Sequence, residues 1–164
     1  MRTREDVWSA LDDNFKRLME CIGQLTEEEL TDGPAVGEWT AKDVLAHVWA
    51  CGDQAVAVSR VWHKAQSVNE SIHGDAWNEA QVAAKRGLPL ITVVEGITAA
   101  HRRLSYLLDS ATDEALAQQG RAPWGDEMSL LDFIDLTGEH YAEHAQGLAA
   151  YQKHCLNPDD PNCA

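Results

Sequence analysis

Basic residues are scarce in this sequence of 164 residues. Lysine and arginine total 13 against 27 aspartate and glutamate residues, which gives a formal net charge of −14. A protein that follows a phosphate backbone needs a positive surface to displace counterions, and an acidic surface repels that polyanion. The composition therefore disfavours nucleic acid and anionic membrane as partners.

Long apolar runs and cysteine motifs are also missing. No stretch is long enough to cross a bilayer, and residues 1–6 are rich in charge where a secretory signal would lead into an apolar segment. We therefore expect a cytoplasmic protein. The cysteines, Cys21, Cys51, Cys155 and Cys163, show no C-x-x-C spacing, which argues against a disulfide framework or a cysteine-rich zinc site.

Several common catalytic motifs are absent as well, among them G-x-S-x-G, G-x-x-x-x-G-K-[ST] and a G-x-G-x-x-G after a strand. The chain does have an ordinary globular balance of 45% hydrophobic and 24% charged residues. Its length favours one domain, which we place at residues 1–155. The tail at 156–164 cannot continue a helix past Pro158.

Apolar residues recur at alternating spacings of three and four in four segments, which is the pattern of helices that pack in a bundle. The first stripe begins at Trp8. Each segment follows a serine or threonine that can cap a helix, and the third follows Thr92. The predicted helices cover residues 3–23, 40–66, 92–109 and 129–154.

The connection between the second and third predicted helices is too long for a simple bundle turn. It is predicted to contain a short helix at residues 75–86. No segment alternates with a period of two over a useful length, so no β-sheet of consequence is expected. The predicted fold class is all-α, a four-helix bundle with a long helix-two to helix-three connection containing a short extra helix.

Three histidines lie on or beside the apolar stripes, where bundles place metal ligands. His140 and His144 are one turn apart on the fourth predicted helix, and His47 lies at the edge of the second stripe. A histidine pair at this spacing can hold a transition metal, although it also occurs on solvated faces. The third histidine favours a site that holds Zn, Ni or Fe and keeps an open coordination position.

The sequence gives weaker evidence of a chemical role for the other candidate residues. His101 lies in the middle of the third stripe and is predicted to be a core histidine hydrogen-bonded to backbone or to a carboxylate. Cys51 is predicted to fill the core, with a closed site of three histidines and this cysteine as the alternative. Glu139, Glu143 and Asp43 are candidates for a general base or for an acceptor behind a ligand, or are solvated. We assign no chemistry to His63, His73 and His154.

Two parts of the chain resemble signatures of the DinB/YfiT-like superfamily of metalloenzymes. The segment GEWTAKDVLAH ends at His47 and is similar to a pattern of tryptophan, hydroxyl cap, Lys-Asp pair and metal-binding histidine. The segment WGDEMSLLD begins at Trp124, and GEHYAEH, which follows it, ends at His144 and is similar to the signature with the paired histidines. The resemblance covers most of the chain.

The resemblance implies a four-helix bundle with a long crossover, a homodimer, and His47, His140 and His144 as the three metal ligands. Members of this superfamily use a divalent metal to activate a low-molecular-weight thiol, as in mycothiol-dependent maleylpyruvate isomerases, and others act on electrophilic small molecules. We therefore expect a metal-dependent enzyme, similar to a thiol-dependent S-transferase, that acts on an electrophilic small molecule. The alternatives are a metal-hydroxide hydrolase and a non-catalytic module that binds a metal or a metabolite.

Overall fold

The structure of the protein, a computed structural model, describes residues 2–62 and 73–155. The predicted all-α class is confirmed, with four long helices and a short helix in the connection between the second and third of them. His63, the predicted end of the second helix beyond residue 62 and the tail at 156–164 lie outside the described residues. The elements are α1 (Arg4–Gly23), α2 (Glu27–Thr31), α3 (Ala41–Val61), α4 (Asp75–Lys85), α5 (Leu90–Ser110), α6 (Asp113–Ala117), β1 (Gln119–Arg121), β2 (Glu127–Ser129) and α7 (Leu130–Cys155).

Threonines begin several of these helices because a hydroxyl can accept a hydrogen bond from an N–H group that has no partner within the helix. Thr3, Thr26 and Thr40 each accept from the backbone N–H three residues on, and a carboxylate at that position accepts from the threonine's own N–H. Two of these caps were predicted from the sequence, and both are confirmed.

The predicted start of the third long helix at Thr92 is wrong. Helix α5 begins at Leu90, and Pro89 is its N-cap residue. Proline restricts φ to a helix-compatible value and has no N–H that would remain unpaired in the first turn. Thr92 therefore lies inside that turn, where its N–H donates to the carbonyl of Pro89 over 3.0 Å.

In the bundle, α1 packs along α7, α3 packs along α5, and α3 also contacts α7. Close approach between the helices is possible where one side chain is missing. A Cβ atom on Gly138 of α7 would lie 3.2 Å from the Cα atom of Leu11 in α1. On the other side of the bundle, the indole of Trp49 in α3 lies directly against Gly96 in α5. These contacts hold α1 close to α7 and α3 close to α5.

The predicted inward position of Trp8 is wrong, because the side chain is 43% exposed and Val7 is buried in its place. The buried residues of α1 include Val7, Leu11, Leu18 and Ile22. At 100° of rotation per residue, Trp8 lies roughly 70° from the centre of that buried face. Its indole is therefore placed at the flank of the helix.

A β-hairpin precedes α7. Strands β1 and β2 pair antiparallel, with Gln119 opposite Ser129, and each has three residues, which is too short to show a period of two in the sequence. Its turn is closed by a hydrogen bond from the N–H of Gly125 to the carbonyl of Ala122, and Gly125 has a φ of 103°, which favours glycine. The hairpin holds Trp124 at the start of α7. Over the described ranges, no helix has the length and apolar character needed to cross a membrane.

Candidate metal centre

The structure brings His47, His140 and His144 together. His47 projects from α3, and the other two histidines project from α7 one turn apart. The Nε2 atom of His140 lies 3.2 Å from that of His47 and 3.0 Å from that of His144. His140 thus has a ring nitrogen from each of the other two histidines beside it, and the ring centroids of His47 and His144 lie 5.2 Å apart.

Hydrogen bonds among the three rings do not explain this arrangement. Each Nε2 atom has one in-plane position, which holds either a proton or a lone pair. The Nε2 atom of His140 can therefore form a hydrogen bond with only one of the two Nε2 atoms beside it. The other Nε2 atom lies at hydrogen-bond distance without a hydrogen-bond partner in the cluster. A cation among the three lone pairs would satisfy all of them, and a tetrahedral site with metal–nitrogen bonds of about 2.0–2.1 Å has its nitrogens roughly 3.3 Å apart. The donor set and its spacing therefore fit a transition metal.

Burial keeps the cluster neutral. It lowers the pKa of His47 to about 4 and that of His140 to about 3, and the neighbouring His144 contributes to both shifts. The pKa of His144 is also lowered by burial. Because a metal binds imidazole through a lone pair, the neutral form present at neutral pH is the ligand form.

The loop before α3 and the short helix α4 hold His47 in place. The ring of Trp39 packs at 5.5 Å from the His47 ring, and its Nε1–H donates to the Glu79 carboxylate over 2.8 Å. At the start of α3, the Asp43 carboxylate accepts from the Arg86 guanidinium at 3.2 and 3.3 Å. Hydrogen bonds at two places therefore connect α4 and the residue after it to the segment that carries His47.

These contacts account for one of the three candidate carboxylates, Asp43. Asp43 is buried and is used by the helix cap and by Arg86, so it serves the fold rather than acting as a base. Glu139 and Glu143 are exposed on α7. The charge of Glu143 acts on His47, where it opposes the lowering of the pKa by burial.

Cys51 lies beside the histidine cluster, whereas the sequence predicted that it fills the core. Its Sγ atom is 3.6 Å from Nε2 of His47, and the ligand atoms of His47, Cys51 and His140 all lie within 4.8 Å of one another. Burial raises the pKa of this thiol to about 12, which keeps it protonated at neutral pH. The cysteine is half-buried at the edge of the cluster and also lines the cavity described below.

His101 is buried in a separate group, as predicted. Its ring stacks on Phe15 with 3.8 Å between the centroids, and its Nε2 atom lies 3.7 Å from the Asp12 carboxylate. Burial lowers its pKa, and Asp12 opposes that shift. The predicted burial is confirmed. The predicted hydrogen bond to a carboxylate is not, because 3.7 Å is longer than a hydrogen bond, and the buried Nδ1 atom has no hydrogen-bond partner among the described residues. His154 is exposed near the end of α7.

A cavity of about 210 Å³ opens beside His140. Its walls come from α3, α4, the hairpin and α7, so segments far apart in the chain build one space. His73, to which the sequence assigned no chemistry, lies at this cavity. The lining residues are Cys51, Gln54, Ala55, His73, Gly74, Trp77, Asn78, Trp124, Phe133, Leu136, Thr137 and His140.

Most of these lining residues could not be identified from the sequence. Trp77 and Trp124 carry no spacing signal of their own, because one lies on a short helix and the other in a hairpin turn. The sequence signal at Trp124 was that it begins the segment WGDEMSLLD, which resembles a signature of the superfamily. Only the packing of α4 and the hairpin against α3 and α7 shows that both rings face the same space.

The sequence matches one known family, and several solved structures have a similar fold. The profile of the DinB superfamily matches residues 10–147. No functionally curated protein matches the sequence at a significant level. A structure of the mycothiol-dependent maleylpyruvate isomerase superposes with a TM-score of 0.78 at 10% identity, covering 90% of this chain and 61% of the isomerase. This chain therefore spans less than two thirds of the length of that enzyme.

Two smaller proteins match over nearly their whole length. YfiT from Bacillus subtilis, described as a probable metal-dependent hydrolase with an unusual four-helix bundle topology, has a TM-score of 0.73 at 16% identity, with 93% of this chain and 87% of YfiT covered. The colibactin self-resistance protein ClbS, in a complex with double-stranded DNA, has a TM-score of 0.75 at 12% identity, with 92% and 95% covered. At these identities the likeness concerns the fold.

Proposed function

Because this chain belongs to the DinB superfamily, and because three neutral imidazoles converge beside a cavity, we propose that it is a metal-dependent enzyme that transfers a thiol to an electrophilic small molecule. The observation that carries the proposal is the convergence of the three Nε2 atoms. A set of three imidazoles leaves room for a further ligand, which is typical of catalytic sites.

In this proposal His47, His140 and His144 hold a divalent transition metal such as Zn, Ni or Fe. When bound, such a cation supplies the positive charge that lowers the pKa of a thiol or a water molecule placed beside it. The residues of the chain do the rest. Burial keeps the three imidazoles neutral and available, and Trp39 supports the ring of His47 from the side.

The cavity places the second reactant. It lies against His140 and Cys51, so a molecule bound there has one end at the histidine cluster. Its largely apolar walls offer water few hydrogen bonds, which favours binding of an apolar reactant beside the cluster. In the reaction the thiol gives its proton to solvent water, the sulfur electron pair forms a carbon–sulfur bond, and the leaving group departs with the electron pair of the bond that breaks. The shared fold with the mycothiol-dependent isomerase supports a thiol as cosubstrate.

Hydrolysis is the second candidate, and the likeness to YfiT favours it. The same histidines would then hold the metal beside a water molecule. The water oxygen would form the new bond to the electrophilic carbon, its proton would pass to solvent, and the leaving group would depart with the electron pair of the broken bond. The two functions differ in one reactant and share the metal centre. They are therefore separable by adding or omitting a thiol.

The test begins with the full-length protein purified and loaded with cobalt, and compares it with the His140→Ala variant. A panel of small thiols should change the visible spectrum of the cobalt protein, because charge transfer from sulfur requires direct contact with the metal. Turnover of a haloaromatic or an epoxide should then need both thiol and metal. The His154→Ala variant, altered at an exposed position near the end of α7, is the matched control and should behave as the parent protein.

Three results would separate the candidates. Turnover that is unchanged when the thiol is omitted would favour hydrolysis. Tight stoichiometric capture of a small molecule without turnover would favour a binding module. Failure of the parent protein to bind cobalt or zinc would refute the metal centre and both enzymatic functions.

A further inference from the structure

The cavity beside His140 has an aromatic wall that is fixed in place. The rings of Trp124 and Phe133 are stacked with 5.9 Å between centroids, and Phe133 packs in turn on Trp62 at 4.8 Å. The indole N–H of Trp124 donates to Asp126 over 2.9 Å. Because that donor is already used, Trp124 presents a ring rather than a hydrogen-bonding group to the cavity.

Trp77 of α4 and Leu136 of α7 also line the cavity. Cys51 and Ala55 of α3, together with Thr137 and His140 of α7, complete its apolar and polar lining beside the metal centre. A planar molecule bound in the cavity would therefore have aromatic rings and the histidine cluster among its neighbours.

No lysine, arginine, aspartate or glutamate lines this cavity among the residues that the structure describes. The polar groups are the carboxamides of Gln54 and Asn78, the hydroxyl of Thr137 and the ring of His73. Carboxamides both donate and accept hydrogen bonds, so they suit a neutral polar substituent. They do not compensate a full charge that is removed from water.

The size of the cavity limits the ligand further. An apolar cavity of about 150 Å³ holds a benzene molecule. The cavity here measures about 210 Å³, which leaves space for one ring and one small substituent. A fused or two-ring molecule would leave its second ring outside the cavity, in solvent.

We propose that the substrate bound in this cavity is an uncharged molecule with a single planar apolar ring and one small polar substituent. This inference rests on the proposed function, since it names the substrate class of the same site. Apart from a metal held by the histidines, an anion would meet no cationic side chain among the described residues of the cavity, on a chain whose net charge is −14. A cation could stack on the tryptophans, but it would lie beside the metal centre with no carboxylate among the described lining residues.

Three ligands of nearly identical shape test this inference: benzamide, which is neutral, benzoate, which is an anion, and benzamidinium, which is a cation. Binding is measured by calorimetry on the full chain, both metal-free and zinc-loaded. Because burying an uncompensated charge is costly, we expect benzamide to bind about tenfold more tightly than either ion to the metal-free protein. Equal or tighter binding of benzoate or benzamidinium, or no binding of any of the three at millimolar concentration, would overturn the proposal.

Two variants locate the site. Trp124→Ala should weaken benzamide binding, whereas Trp8→Ala should leave it unchanged, although the two tryptophans are similarly exposed at 42% and 43%. Leu136→Arg places a cation at the partly exposed rim and should reverse the order of benzamide and benzoate. A benzamide affinity that is the same in the parent protein and in Trp124→Ala would place the binding elsewhere and refute the assignment.

Zinc binding in the same preparations separates this inference from the proposed function. If zinc binds but the three ligands do not follow the expected order, the substrate class is wrong and the metal centre stands. If zinc does not bind and benzamide is still preferred, the proposed function fails while the preference of the cavity is established.

Discussion

The Nε2 atoms of His47 and His140 lie 3.2 Å apart, although 93 residues separate the two histidines in the chain. One histidine is on α3 and the other on α7. A ligand held between them therefore connects two long helices of the bundle. It binds the folded state and has no comparable site in the unfolded chain, so metal binding and stability are linked.

Zinc should raise the thermal stability of this protein. Free zinc at roughly a hundredfold excess over Kd stabilises a folded protein by about 2.7 kcal/mol. We expect an increase in Tm that depends on zinc concentration in the parent protein and disappears in His47→Ala and His140→Ala. Differential scanning calorimetry with and without a chelator measures it. An undiminished zinc effect in both variants would show that the metal binds elsewhere.

The metal-free protein should lose stability on acidification, in part through the histidine cluster. The pKa values of His47 and His140 in the folded state are about 4 and about 3, below the ordinary 6.5. The unfolded chain therefore takes up protons first as the pH falls below 6.5, and the free energy of unfolding falls with it. The contribution of these groups is fully present above that pH and is lost as the pH drops towards 4 and 3.

Urea denaturation at several pH values measures this dependence. In the His140→Gln variant the free energy of unfolding should fall less steeply with decreasing pH between 6.5 and 4. The carboxylates in the helix caps also stabilise the fold less at low pH, where they become protonated, but the variant retains these groups. The difference between the two proteins isolates the histidine. Parallel curves would mean that His140 is not buried in its neutral form.

Replacing His101 should affect stability and leave metal binding intact. The His101→Ala variant loses the stack on Phe15 and the contact with Asp12, and leaves a buried cavity. We expect a loss of about 1–3 kcal/mol in the free energy of unfolding. Zinc content, measured on the same samples by atomic emission, should equal that of the parent protein. A fall in zinc content would show that His101 supports the metal centre.

A side chain at position 96 should destabilise the protein, because the indole of Trp49 lies against Gly96. A Cβ atom at position 96 would lie 2.3 Å from ring atoms of Trp49. Since the ring is held between α3 and α5, we expect Gly96→Ala to lower the free energy of unfolding by about 1–3 kcal/mol. Gly147→Ala is the matched control, because nothing lies within 4 Å of the added atom. That variant should be neutral or slightly stabilised. Equal stability of both variants would mean that α3 and α5 separate readily.

DNA should not bind to this protein, although ClbS shares the fold and has been seen with double-stranded DNA. The net charge of −14 opposes contact with a phosphate backbone. An electrophoretic mobility shift experiment at low salt, with ClbS as the positive control, should show no complex. A complex that weakens as salt is added would contradict this expectation, because that dependence indicates phosphate contacts.

Much of the fold could be predicted from the sequence because helix formation depends on near neighbours. Spacings of three and four residues place apolar side chains on one face, and Thr3 and Thr40 satisfy the first N–H groups of α1 and α3. The pairing of His140 and His144 is local in the same sense, since one turn of α7 separates them. These features require no knowledge of the partner helices.

Contacts between helices could not be predicted from the sequence and are shown only by the tertiary structure. His47 and His101 both lie on inward faces of long helices, and only the packing of α3 against α7 shows that His47 meets the pair while His101 stacks on Phe15. The place of Cys51 beside the cluster and the meeting of Trp77 with Trp124 at one cavity were decided in the same way. Rotation about a helix axis is set by the residue count, so the sequence determined the faces. The crossing of the helices, the course of the connections and the short hairpin determined which faces meet, because those depend on contacts between residues that are distant in the chain.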